Sequence, residues 1–153
     1  MVAKVYVSSL TAAGVAEKGD NGATSGFSFG WDSGGSMRLV IARTGGNLIV
    51  TTVSNSIPTG QWMQVALTWD GTIGSGFASS AHLFVNGVEQ QKVTSVDGTG
   101  TLGSTNATNQ PFRIGSSYFL GSVSGKMAYL AVYRGRLLTT TEMGQLDAQL
   151  PIH

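Results

Sequence analysis

At 153 residues the chain has room for one domain with a real core, burying roughly two-thirds of its unfolded surface. It has no cysteine, which excludes disulfides and thiolate metal sites, and a net charge of +1 with 11% charged residues, which leaves no electrostatic footprint for nucleic acid or an anionic membrane. No run approaches the ~20 apolar residues of a membrane span, and the opening MVAKVYVSSL lacks the apolar stretch and cleavage site of a signal peptide.

In chain order, Val2–Val7 alternates weakly and reads as a first strand, followed by a glycine-rich loop around Lys18-Gly19-Asp20-Asn21-Gly22. Phe27, Phe29 and Trp31 share one face of the next strand, which ends in an Asp32-Ser33-Gly34-Gly35 turn. Residues 37–43 (Met37, Leu39 and Ile41 on one face) and 47–53 form a predicted hairpin across Gly45-Gly46. Trp62–Trp69 is the clearest strand, with Met63, Val65, Leu67 and Trp69 pointing one way and Gln64, Ala66 and Thr68 the other.

Asn86-Gly87 joins Ala81–Val85 to 88–93 as a two-residue hairpin, because both turn positions need positive φ. Residues 112–115 and 126–134 supply two late strands. The second is apolar on both faces, Met127, Tyr129, Ala131 and Tyr133 against Ala128, Leu130 and Val132, so it is expected to be covered on both sides or to carry a ligand. Thr139 and Glu142 then fit a capping box opening a short C-terminal helix on Met143, Leu146 and Leu150, with Pro151 beyond its end. The turn spacing and the absence of any internal repeat predict one all-β domain over 1–153, a two-sheet antiparallel sandwich with that helix.

The stretch 60–87 reads GQWMQVALTWDG, then a Gly/Ser loop, then AHLFVNG. It resembles the laminin-G-like families of the concanavalin A-like lectin/glucanase superfamily. Further similarities follow in order: Phe112-Arg113-Ile114-Gly115, Phe119-Leu120-Gly121, Ala131-Val132-Tyr133-Arg134 with Leu137-Leu138 and Glu142, and upstream Glu17-Lys18-Gly19-Asp20. The resemblance implies a jelly-roll sandwich and core positions for Trp62 and Trp69. One departure stands at Ala3-Lys4-Val5, where Lys4 replaces a usual Trp; set against the family pattern, one or two opening strands are expected to be lacking, which leaves the sandwich slightly open or its gap covered by another subunit. An unpaired edge at the first strand would invite a second subunit, so a homodimer held through Val5's strand is expected.

Glycoside hydrolases of the superfamily need two carboxylates at roughly 5–9.5 Å. The eight acids here (Glu17, Asp20, Asp32, Asp70, Glu89, Asp97, Glu142 and Asp147) show no same-face i, i+2 pair on a strand, and the family-type E-x-D-x-x-E strand is absent. The nucleophile elbow is missing around Gly74-Ser75-Gly76, and the two histidines, His82 on a strand and His153 at the end, suit no base. No cofactor is required. Calcium, common in related domains, would draw on loop oxygens of Asp20, Asn21, Asp32 and Asp97, but with no acidic cluster among them these read more readily as Asx-turn residues. The sequon at Asn106 lies in a Gly/Ser/Thr loop.

The expected function is therefore a non-catalytic recognition module, carbohydrate-binding or adhesive, with a structural or oligomerising domain as the alternative and, behind both, a glycoside hydrolase, which would need two loop carboxylates converging in one cleft. A glycan or protein partner would meet a polar–aromatic patch of Trp31, Arg38, Tyr118, Tyr133 and Arg134, since ring faces stack on sugars and guanidinium groups donate. The family resemblance favours an extracellular or cell-surface location.

Overall fold

The computed structural model describes residues 1–19, 26–42, 46–72, 74–96 and 110–150. Asp20, Asn21, Asp97, the sequon at Asn106, Pro151 and His153 lie outside the described residues. Thirteen strands and two helices are described: β1 (Val2–Val7), β2 (Ala13–Lys18), β3 (Phe27–Trp31), β4 (Met37–Ile41), β5 (Leu48–Thr52), β6 (Trp62–Trp69), α1 (Phe77–Ser80), β7 (Ala81–Val85), β8 (Val88–Glu89), β9 (Lys92–Val96), β10 (Phe112–Ile114), β11 (Ser116–Ser117), β12 (Gly121–Ser122), β13 (Gly125–Ala131) and α2 (Thr140–Gln149). They form an antiparallel five-stranded sheet, β13-β1-β6-β7-β8, packed on a six-stranded one, β10-β2-β3-β4-β5-β9, with a small β11-β12 hairpin beside them. This is the two-sheet sandwich that the turn spacing predicts, and it is consistent with the jelly roll that the resemblance implies.

Period-2 alternation builds the space between the sheets. Ala3, Val5 and Val7 of β1 and Met63, Val65 and Leu67 of β6 meet Phe29, Trp31, Met37, Leu39 and Ile41 of β3 and β4. Phe77 of α1 plugs the same core, edge-on to Trp69 at 5.9 Å. The outer face of the five-stranded sheet is also covered. There Val2, Ala66 and Phe84 pack under Leu138 and Met143, so β6 is buried on both sides.

Polar groups pin α2 in place. The Gln64 amide donates to Met143 O (2.8 Å) and to the Tyr129 hydroxyl (3.0 Å), and Lys4 pairs with Asp147 at 2.6–2.7 Å. Burial pushes the Tyr129 hydroxyl's pKa above its ordinary value. The helix opens with the predicted capping box: the Thr139 side chain accepts from Glu142 N, and Glu142 accepts from Thr139 N (2.8 Å). No described helix is long and apolar enough to cross a membrane.

The structure corrects several expectations. β1 is not an edge: it pairs with β6 on one side and β13 on the other, and Val5 is fully buried. Among the described residues the edges of this sheet are β13 on the β1 side and the two-residue β8 on the other. In β13 the register shifts between Lys4 and Val5 of its partner, which leaves Ala128 without a partner and breaks the alternation. Met127 and Leu130 consequently both pack toward the sandwich core while Tyr129 turns to α2. Trp62 is not a core residue. It sits half-buried on the outer face against Tyr6, with ring centroids 5.8 Å apart.

The predicted 88–93 strand is two strands. The chain leaves the five-stranded sheet after Glu89 and joins the six-stranded one at Lys92. The Asn86-Gly87 turn forms as predicted, with φ of 49° and 75°, and Asn86 Oδ1 also accepts from Gln64 N (2.8 Å).

Candidate ligand-binding site

The two sheets part at the end of the sandwich where β1 begins and β6 and β13 finish. Alternation brings Leu67 and Trp69 to one wall, and Phe27, Leu39 and Ile41 to the other. Met1 closes the side, held by N–H···O bonds in both directions with Leu67 (2.8 and 2.9 Å). The result is a cleft of ≈ 210 Å³ whose mouth is formed by Val132, Tyr133, Arg136 and Leu137, on the segment between β13 and α2. Trp69 is fixed by its indole N–H, which donates to Thr72 O (2.8 Å).

Tyr133, Arg136 and Leu138 also wall a second depression of ≈ 240 Å³, whose far side is the Glu142, Gln145, Leu146 and Gln149 face of α2. The Arg136 guanidinium lies 5.8 Å from the Tyr133 ring centre and forms an ion pair with Glu142. The Glu142 carboxyl is held below its ordinary pKa, first by the Thr139 backbone N–H, then by the Thr139 hydroxyl and Arg136. The arrangement offers an exposed aromatic side chain, two amide side chains and a guanidinium around a polar groove, next to an apolar cleft. That combination can orient a polar ligand; it holds no nucleophile–base pair.

The structure does not gather the five sequence-predicted site residues into one patch. Trp31 is removed from it altogether: the ring is 1% exposed in the core, with its N–H on Thr11 O (3.0 Å), because its β3 alternation turns it inward. Arg38 lies on the outer face of the six-stranded sheet, opposite Gly30 and Thr51. Its Nε is buried without a hydrogen-bond partner. Tyr118 is on the β11–β12 turn. That turn covers β2, because a Cβ on Gly14 would fall 2.3 Å from Ser117 Cβ. With Gly14 and Arg38 two strands apart, the turn and Arg38 are separated by roughly 10 Å. Tyr133 is in the groove just described, and Arg134 beside it is exposed. Arg136, Gln145 and Gln149, which sequence reading passed over, are among the residues that share Tyr133's groove; only the fold of α2 back toward the end of β13 reveals them.

A second cluster missed by sequence reading centres on Glu17, whose side chain is fully buried. Its carboxylate accepts from the Ser117 hydroxyl and from Tyr118 N (3.0 Å), and Arg113 approaches at 3.5 Å while donating to Gly19 O (2.9 Å). The same guanidinium lies 3.9 Å over the Tyr118 ring. The only signal in the sequence was a carboxylate directly after the small apolar run Ala13-Gly14-Val15-Ala16, since a buried carboxylate must be paired.

The other described acids have structural partners. Asp32 Oδ1 accepts from Gly34 N and Ser36 N, which is the Asx turn, Asp70 accepts from Thr72 N, and Glu89 meets His82 Nδ1 at 2.7 Å. Backbone and side-chain hydrogen bonds from Thr72 hold the Asp70 carboxyl below its usual pKa. Among the described residues no three His, Cys, Asp or Glu side chains converge to hold a metal.

No curated protein matches the chain. Residues 3–143, most of the chain and nearly all of the sandwich, match the laminin-G model described as concanavalin A-like lectin/glucanases superfamily, and the protein belongs to that family.

Proposed function

We propose that this lectin-like or adhesive domain is a non-catalytic module that binds carbohydrate in the groove between Tyr133 and α2. One observation carries the reading: Tyr133 lines both the apolar cleft and the polar groove, with Arg136, Gln145 and Gln149 around it. Sugars present C–H faces to aromatic rings and hydroxyls to amides and guanidinium groups, which is the set of groups gathered here. Laminin-G-like domains are typically non-catalytic, although the superfamily also includes glycosidases. The carboxylates' engagement in caps, turns and ion pairs supports the non-catalytic side.

Glycan arrays and affinity electrophoresis test the proposal. Retention of at least one glycan, weakened by about tenfold or more in Tyr133→Ala, is the expected outcome, as for an aromatic residue central to an interface. No retention of any glycan sinks the sugar reading, and unchanged retention in Tyr133→Ala moves the site elsewhere.

A second reading, association of two copies, is favoured by the free edge of β13, which has β1 on one side and no described strand on the other.

A further inference from the structure

The apolar cleft has a chemistry distinct from that of the groove beside it. The buried residues of its two walls, Leu39 and Ile41 facing Leu67, make its floor, and Phe27 and Trp69 continue those walls outward. Water held there would need two to four polar partners, and these floor side chains supply none. No carboxylate lines the cleft, and its two basic groups are already engaged: Arg136 is paired with Glu142, and the Met1 α-amino group, its pKa lowered by burial to about 6, donates to Leu67 O. A charged group entering would lose its hydration without finding a counter-charge, whereas an uncharged apolar group would lose nothing and bury its surface. Size sets the upper limit. An apolar cavity of about 150 Å³ lined by Leu, Ile and Phe is sufficient for benzene, and this one measures ≈ 210 Å³.

We propose that the cleft is a binding site for one uncharged apolar group the size of a six-membered ring, entering past Val132 and Tyr133. The group is either a free small molecule or the apolar substituent of a larger ligand whose polar part lies in the adjoining groove. Trp69 forms one wall with its indole N–H already satisfied on Thr72 O, so the ring can serve as a purely apolar surface. The site goes beyond the carbohydrate reading and does not rest on it.

The test uses benzene on the whole chain, followed through backbone amide chemical shifts. The expected result is saturable shifts at Leu39, Ile41, Leu67 and Trp69. Two variants close the site from opposite sides: Val132→Trp at the mouth, where the side chain is 57% exposed and a larger ring disturbs no core packing, and Leu67→Phe at the floor. Both are expected to weaken benzene by about tenfold or more, equivalent to 1.4 kcal/mol. If Leu67→Phe fails to fold, Val132→Trp alone decides. Non-saturable shifts, or benzene affinity unchanged in Val132→Trp, overturns the proposal.

Phenyl β-D-glucoside against methyl β-D-glucoside separates the two sources. A phenyl glucoside that binds more tightly than benzene makes the ring part of a larger ligand, and one that binds no better makes it a free molecule. Failure of benzene with glycan retention intact removes the cleft site only. Loss of glycan retention with benzene bound removes the carbohydrate reading only.

Discussion

Glu17 shows how a single residue ties a surface feature to the core. Its buried carboxylate gathers the Ser117 hydroxyl, the Tyr118 amide and the Arg113 guanidinium, and so holds the β11–β12 turn down on β2. Removing one partner of a buried pair leaves the others without their counterpart, which costs far more than the pair itself contributes. Glu17→Ala is therefore expected to lower unfolding free energy by about 3 kcal/mol, measured by urea denaturation, with Glu17→Gln less severe because an amide still accepts. A change within about 0.5 kcal/mol, the range of ordinary surface substitutions, would mean the cluster is incidental. Residues whose role follows from their own chemistry were readable in sequence: Asp32 in its turn, Asn86-Gly87, Thr139 with Glu142. Residues whose role depends on a distant partner were not. Trp31 and Tyr133 are both aromatic residues near strand ends, and only the packing sends one into the core and the other to a groove.

At the scale of elements, strands with strong alternation and bulky residues, β3, β4 and β6, lie within two residues of where the pattern places them. β2 left no such trace. Its Ala13-Gly14-Val15-Ala16 run is made of small residues because it is covered on both faces, by the core and by the β11–β12 turn. Bulges hid other facts, since the extra Ala128 in β13 inverts the faces that a strict period of two assigns.

α2 supplies a pH test. Glu142 has its pKa lowered in the folded chain, so its contribution is fully present above the ordinary value of 4.5 and is lost as pH falls through the lowered one. Helix docking should weaken on acidification below that point, and Glu142→Gln should remove this part of the pH dependence in parallel denaturation series. Thr139→Ala should cost about 1 kcal/mol at neutral pH. Denaturation profiles of wild type and Glu142→Gln that stay parallel across the acid range would contradict this account.

For the whole molecule, the free β13 edge is the place where two copies would join their five-stranded sheets, in contrast to the β1 edge that the sequence suggested. Sedimentation at high concentration is expected to reveal twice the monomer mass of 15.9 kDa, and a single species at that mass would retire the reading. The same β1–β13 pairing has a consequence for how the chain folds. Val2 sits opposite Ala131, so β1 waits for a strand well over a hundred residues further along before its sheet can close. Loop-closure entropy opposes such a contact until most of the intervening chain is in place, which puts this domain among slow, millisecond-to-second folders. During synthesis β1 can pair with β6 on one side, but its other edge stays open until β13 has emerged, and the nascent protein is vulnerable to misassociation through that edge until then.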